Sequence, residues 1–209
     1  MHPIYLASAS PRRSALLQQI AVPHQVLIPD MDESRLAAET PAAYVVRLAC
    51  AKAQRVWQQL TPEQRQPVLA ADTTVALGND IFGKPQHRRD AVAMLQRLSG
   101  VTHQVFTGVA VCHAGGVQHA LSVSDVTMRT LTVAECEAYW DSGEPQDKAG
   151  GYAVQGLAAT FIREIKGSYS GVMGLPLYET SQLLAALGWS VAQASNDPKT
   201  VTGKGVVSV

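Results

Sequence analysis

Two adjacent β-patterned runs, HQVFTGVAVCHA (103–114) and VQHALSVSDVTMRTL (117–131), meet around Gly115–Gly116 and read as one long antiparallel hairpin. Elsewhere, short strands alternate with helices. PIYLAS (3–8) reads as a buried strand that runs straight into a helix opened by Ser10 and Pro11, a preferred N-cap followed by a preferred first-turn residue. HQVLIPDMDES (24–34) reads as a strand running into an acidic loop. Thr40 and Pro41 open a helix to about Leu60, and PVLAADTTVAL (67–77) is a strand. GNDIFGKP (78–85) is turn-rich, and DAVAMLQRLSG (90–100) is a helix closed by Gly100. Thr132 and Glu135 form a capping box for a helix through Trp140. The polar, glycine-rich stretch SGEPQDKAGGYAVQG (142–156) is a long loop of the kind that is usually either functional or a flexible connector. A strand over 159–167 and a helix over 175–188 follow, and a polar tail from about residue 190 is expected to be loosely ordered. A long antiparallel pair among alternating strands and helices predicts an α/β fold with a mixed, partly antiparallel sheet, in two lobes around a cleft.

Composition narrows the function. The 209 residues carry 17 basic and 17 acidic side chains, a formal net charge of zero. That balance argues against a general binder of nucleic acid or of membrane surfaces. It leaves open a small anionic ligand, which needs only a local cluster of charge. The three cysteines, Cys50, Cys112 and Cys136, form no CxxC pair and suggest neither a disulfide framework nor a zinc site. No apolar run is long enough to span a membrane and no secretory signal pattern opens the chain, so a cytoplasmic protein is expected.

Several polar residues interrupt the patterns around them. Asp72 lies within an apolar strand, where a carboxylate is costly unless paired, metal-bound or facing a cleft. It reads either as a strand-end cap or as a general base or metal ligand. Lys52 falls on the apolar stripe of Val45, Leu48, Ala49 and Val56, and either snorkels to solvent or serves a site. Lys84 is pinned between Gly83 and Pro85 in a turn where a solvated lysine is the ordinary case. Asp30, Asp32 and Glu33 are hard-oxygen donors for a divalent cation, or simply a solvated loop. Arg12 and Arg13 oppose the positive end of their own helix, which costs roughly 0.3–1 kcal/mol each. Exposed pairing with acids would account for them. So would a polyphosphate cradle made of the helix N-terminus, the Ser8 and Ser10 hydroxyls and two guanidinium forks. No Walker A loop or Rossmann fingerprint is present. A basic cradle beside carboxylates suits phosphoanhydride hydrolysis, where catalysis is mainly positioning and electrostatics.

LASASPRRSALL, AADTTV, GKP, LSGVTHQVFTGVAV, SGEPQDKAGGYAVQG and VMGLPLYET, in this order, resemble the Maf family of nucleotide pyrophosphatases from about residue 4 to 188. The resemblance implies a two-lobed Maf/ITPase-like fold with a central cleft as one domain over 1–189, often found as a homodimer. It implies hydrolysis of a nucleoside triphosphate to the monophosphate and pyrophosphate with a divalent metal such as Mg²⁺ or Mn²⁺. Asp72 matches the proton acceptor, and Ser8, Arg12, Arg13, Glu33, Lys52 and Lys84 match other functional positions, with Glu33 and Asp72 on the metal side. Arg12, Thr73 and Gln155 match the dTTP/UTP-preferring subfamily rather than the 7-methyl-GTP group. An amide at Gln155 offers both a donor and an acceptor to the O4/N3 edge of uracil or thymine. Modified pyrimidine nucleotides are further expected substrates, and a nucleotide-binding regulator of cell division without turnover is the alternative.

Overall fold

The computed structural model describes residues 3–190. Strand β1 (Ile4–Leu6) feeds helix α1 (Pro11–Gln19), and β2 (His24–Val26) returns parallel to β1. Helix α2 (Pro41–Gln59) leads to β3 (Val68–Leu77) and β4 (Asp80–Phe82). Helix α3 (Arg88–Leu98) precedes the long hairpin β5 (Thr102–His113) and β6 (Gly116–Met128). Then come α4 (Val133–Asp141), β7 (Ile162–Lys166), α5 (Tyr169–Met173) and α6 (Leu177–Ala185). The seven strands form one mixed sheet in the order β2-β1-β3-β5-β6-β7, with β4 added to β3.

The expected hairpin is present, with Val105 opposite Ser124 and Cys112 opposite Val117 in continuous register. The capping box at Thr132–Glu135 and the Thr40 cap, which accepts from Ala43 N at 3.2 Å, also match the sequence reading. Each such cap is worth about 1 kcal/mol. Three elements differ. The turn-rich 78–85 segment contains β4, because Gly78 at φ 61° opens a two-residue turn that folds the chain back onto β3. The strand expected over 159–167 begins only at Ile162, after a 3₁₀ turn at Leu157–Thr160. Helix α5 lacks a sequence signal because five residues are too few to show a period. The tail expected from residue 190 lies outside the described residues apart from Ser190. Among the described residues no helix is long and apolar enough to cross a membrane.

The two lobes follow from how β3 is paired. One edge of β3 is occupied by β5 from Val68 to Ala76. On the other edge β1 pairs with Val68 and Leu69, and β4 pairs with Val75 to Leu77. The edge between them, Ala70 to Thr74, has no strand partner among the described residues, and the cleft opens there. Three apolar clusters flank this gap. Ala49, Ala53 and Val56 of α2 cover Val68 and Ala70 on one face. Leu16 and Leu17 of α1, with Leu184 of α6, cover Leu69 and Ala71 on the other. The third cluster joins Val75 and Phe82 to Leu95, Cys136 and Phe161 in the second lobe. Side chains alternate along a strand, so Asp72 continues the α2 face and Thr73 the α1 face. Gly108, opposite Asp72, lets α2 approach closely: a Cβ there would lie 2.5 Å from the Val45 carbonyl oxygen. Lys52, two turns after Val45, is thereby brought over Asp72.

Candidate active site

A cavity of about 650 Å³ runs along the unpaired edge of β3. Ser8, Arg12, Arg13, Glu33, Lys52, Asp72, Thr73, Lys84 and Gln155 all line it, whereas Asp30 and Asp32 of the acidic loop do not. Asp72 and Lys52 are both buried, at 7% exposure each. Lys52 Nζ donates to Asp72 Oδ1 at 2.7 Å and lies 2.8 Å from Glu33 Oε1. Lys52 therefore points inward, not to solvent, and Asp72 is not a strand-end cap. Burial raises the Asp72 pKa above the usual carboxylate value, and Lys52 and Arg13 oppose that shift. Glu33 reaches the pair on an exposed loop tied to α2: Tyr44 Oη donates to Glu33 O at 2.9 Å and Arg47 donates to Ser34 O at 3.0 Å. Asp32 instead folds back onto Ser34 N at 2.9 Å.

Arg13 is held differently. Its Nε donates to Gly174 O at 2.7 Å, one terminal nitrogen donates to Ser8 Oγ at 3.1 Å and the other to Thr73 Oγ1 at 3.3 Å. A guanidinium has five N–H bonds, so one on each terminal nitrogen stays uncommitted. Among the described residues no carboxylate pairs with Arg13. Burial lowers its pKa, and the field of Asp72 opposes that shift. Ser10 occupies the N-cap position of α1, but its hydroxyl caps nothing. Its N–H donates to Ser8 Oγ at 3.1 Å, so Ser8 organises both the turn and Arg13.

Arg12 reaches across the cleft to Asp147 at 3.6 Å, and Asp147 also holds Lys148 at 2.5 Å. Lys84 is exposed at the rim. Arg12, Arg13, Lys52, Lys84 and Lys148 face Glu33, Asp72 and Asp147 in the cavity, an excess of two positive charges. The N-terminus of α1 adds unpaired backbone N–H groups. For a metal, Lys52 Nζ brings Asp72 and Glu33 together by bonding one oxygen of each, which leaves the second oxygen of each for a cation. Among the described residues no group of three or more His, Cys, Asp or Glu forms a cage. Two carboxylate oxygens suit a Mg²⁺-type ion completed by phosphate and water.

A model of Maf-like proteins matches residues 3–187 of this sequence. The chain belongs to the Maf-like family. It is 52% identical over 191 residues to a Bordetella avium protein named dTTP/UTP pyrophosphatase, covering 88% of this chain and 95% of that one. A Xanthomonas euvesicatoria protein of the same name is 53% identical over 189 residues, covering 88% and 98%. The Ham1 protein of Staphylococcus aureus, a solved structure, is 13% identical with a TM-score of 0.43 over 60% of this chain and 71% of that one. That likeness is too low to add to the family assignment.

Two features of this Maf-like site escaped the residue-by-residue reading. Thr107 Oγ1 donates to Gly171 O at 2.8 Å and lies 3.0 Å from Thr73 Oγ1, its cross-strand partner. The register of β3 on β5 was the signal, and it is not visible in a single strand. Lys148 joins the cavity wall from a loop in which one lysine carries no pattern.

Proposed function

We propose that this Maf-like protein hydrolyses dTTP and UTP to the nucleoside monophosphate and pyrophosphate, and takes modified pyrimidine nucleotides as well. The observation that carries this reading is Arg13, a partly buried guanidinium with neutral acceptors, two free N–H bonds and no carboxylate partner among the described residues. A buried charge without a counter-ion is costly. A phosphate oxygen pair supplies the missing anion and fits the remaining fork. Arg12 and Lys84 face the rest of the triphosphate, and the α1 N-terminus adds its N–H groups.

Asp72 takes the proton of the attacking water as the phosphoanhydride bond breaks and pyrophosphate leaves. Burial raises its proton affinity while Lys52 fixes its orientation, as suits a general base. Glu33 and Asp72 would hold a divalent metal, which when bound supplies charge neutralisation at the phosphate oxygens. Gln155, exposed at the opposite wall, reads the pyrimidine edge with its amide.

The test is pyrophosphate release across a nucleotide panel. Asp72→Asn keeps the shape of the side chain and removes the base. Turnover of dTTP and UTP should fall about 10²–10⁴-fold while nucleotide binding persists. Rates like those of the wild type in this variant would sink the assignment of Asp72. Nucleotide binding without pyrophosphate release by the unaltered protein would favour the regulator.

A further inference from the structure

Gln155 sits at the tip of a tight turn in which Gly156 N donates to Ala153 O at 3.1 Å. Both sides of that turn are tied to two side chains that do not line the cavity. On one side, Ala153 N donates to Tyr139 Oη at 3.1 Å. On the other, Leu157 N donates to Glu144 Oε2 at 2.9 Å and Ala158 N to Glu144 Oε1 at 3.4 Å. Tyr139 Oη donates to Glu144 Oε1 at 2.6 Å and so joins the two ties. Tyr139 is buried on α4, where its ring packs edge-on against Phe161 at 5.2 Å. The phenol is therefore a rigid post. The carboxylate lies so close under Gly156 that a Cβ at that position would run into it.

We infer that Tyr139 and Glu144 are positioning residues for base selectivity: their closed hydrogen-bond ring holds the 153–158 turn so that the Gln155 amide meets the base in one orientation. An amide discriminates bases only if its oxygen and nitrogen are fixed relative to the ligand, because a freely turning amide presents either end. Gln155 itself is exposed and makes no hydrogen bond within the described residues, so the turn fixes where its side chain starts and contact with the base must fix its amide. The ring holds the turn with two backbone N–H groups delivered to one carboxylate and a third to the phenol. Glycine at 156 is what allows the carboxylate to sit directly beneath. The inference rests on Gln155 reading the base, and it adds the device that aims it.

Uracil and cytosine exchange donor and acceptor at the edge that an amide reads, so UTP against CTP is the informative pair. The measured quantity is the ratio of kcat/KM for UTP to that for CTP in the full chain. The variants are Tyr139→Phe, Glu144→Gln and Gln155→Ala, each with its melting temperature recorded. Tyr139→Phe and Glu144→Gln should each lower the ratio about 10-fold, mostly through KM for UTP. Adding either to Gln155→Ala should cause no further loss, because all three act through one contact. A role confined to stability would lower both substrates in proportion and leave the ratio unchanged. A ratio that falls in Gln155→Ala but not in the other two, with folded protein, overturns the clamp and leaves the base reader standing. A ratio unmoved by Gln155→Ala overturns both. Tyr139→Phe removes only one oxygen, so it serves as the decisive variant if Glu144→Gln fails to fold.

Discussion

Lys52, buried, and Arg13, partly buried, are cations on opposite faces of the same strand, and their surroundings differ. Lys52 lies against two carboxylates, Asp72 at 2.7 Å and Glu33 at 2.8 Å. Arg13 rests on a carbonyl and two hydroxyls, with no carboxylate partner among the described residues. The difference separates two tasks. The Lys52 face sets one ammonium against two carboxylates, so it is paired without an anionic ligand and keeps a net negative charge. The Arg13 face has no counter-charge among the described residues and keeps two N–H bonds uncommitted, and in the proposed function an anionic ligand completes it. Consecutive residues, Asp72 and Thr73, deliver the two faces to one cleft because the side chains of a strand alternate.

The largest contrast should appear in stability. Lys52→Met strands the buried Asp72 carboxylate, and breaking a buried pair in this way costs about 3–5 kcal/mol. Arg13→Met loses hydrogen bonds but also removes an uncompensated charge, so its cost should stay within about 1 kcal/mol. Denaturant unfolding at pH 8 compares them, and equal losses would erase the distinction. The Lys52→Met deficit should also shrink as pH falls, because Asp72 then takes a proton and no longer needs a cation. The order should reverse for substrate. Arg13→Met should raise KM for UTP about 10- to 100-fold, since a charge-assisted contact is lost. An unchanged KM would remove Arg13 from the phosphate site.

A smaller effect concerns pH. A raised Asp72 pKa means that the acid limb of kcat/KM lies above where an ordinary aspartate would place it. The base must be ionised, so activity rises with pH through that limb. The same shift makes Asp72 a cost to folding: its contribution is favourable below the unfolded-state pKa and is lost as pH rises through the folded value. Lys52→Met should move the limb further up, because the lysine opposes the shift. A limb that stays fixed in Lys52→Met would assign the titration to another group.

Much of this site is visible in the sequence because its residues break local rules. Asp72 in an apolar strand, Lys52 on an apolar stripe and Arg12–Arg13 at a positive helix end each cost free energy where they stand, and all four line the cavity. The long hairpin and the Thr40 and Thr132 caps were legible for the opposite reason, since local chemistry and the final fold agree there. Missing from the sequence reading was whatever depends on register or on distant partners. Thr107 looks like an ordinary strand threonine until β3 pairs with β5 and sets it opposite Thr73. Glu144 looks like a loop acid until the chain returns at Leu157 to meet it. The resemblance already separates the two arginines in role, but their contacts were hidden: Arg13 rests on Ser8, Thr73 and Gly174, whereas Arg12 spans the cleft to Asp147.

Thr73 gives the finest test of the Arg13 face. Thr107 spends its one hydroxyl proton on Gly171 O at 2.8 Å. The proton between the two threonines must then come from Thr73, which leaves Thr73 Oγ1 to accept from Arg13. The hydrogen bonds run in one direction, from Arg13 through Thr73 and Thr107 to the backbone of α5. Thr73 therefore has no proton to offer a nucleotide, and its influence on substrate passes through the guanidinium. Thr73→Val keeps the shape and removes the acceptor, leaving one more N–H of Arg13 unpaired. KM for both dTTP and UTP should rise about 5- to 10-fold, as one weakened contact warrants. Thr73→Ser, which keeps the hydroxyl, should restore most of the loss. In an Arg13→Met background Thr73→Val should add almost nothing, because the relay has already lost its first member. A full additional loss in that background would mean that Thr73 touches the nucleotide itself, and the Arg13 face would then hold two independent contacts rather than one.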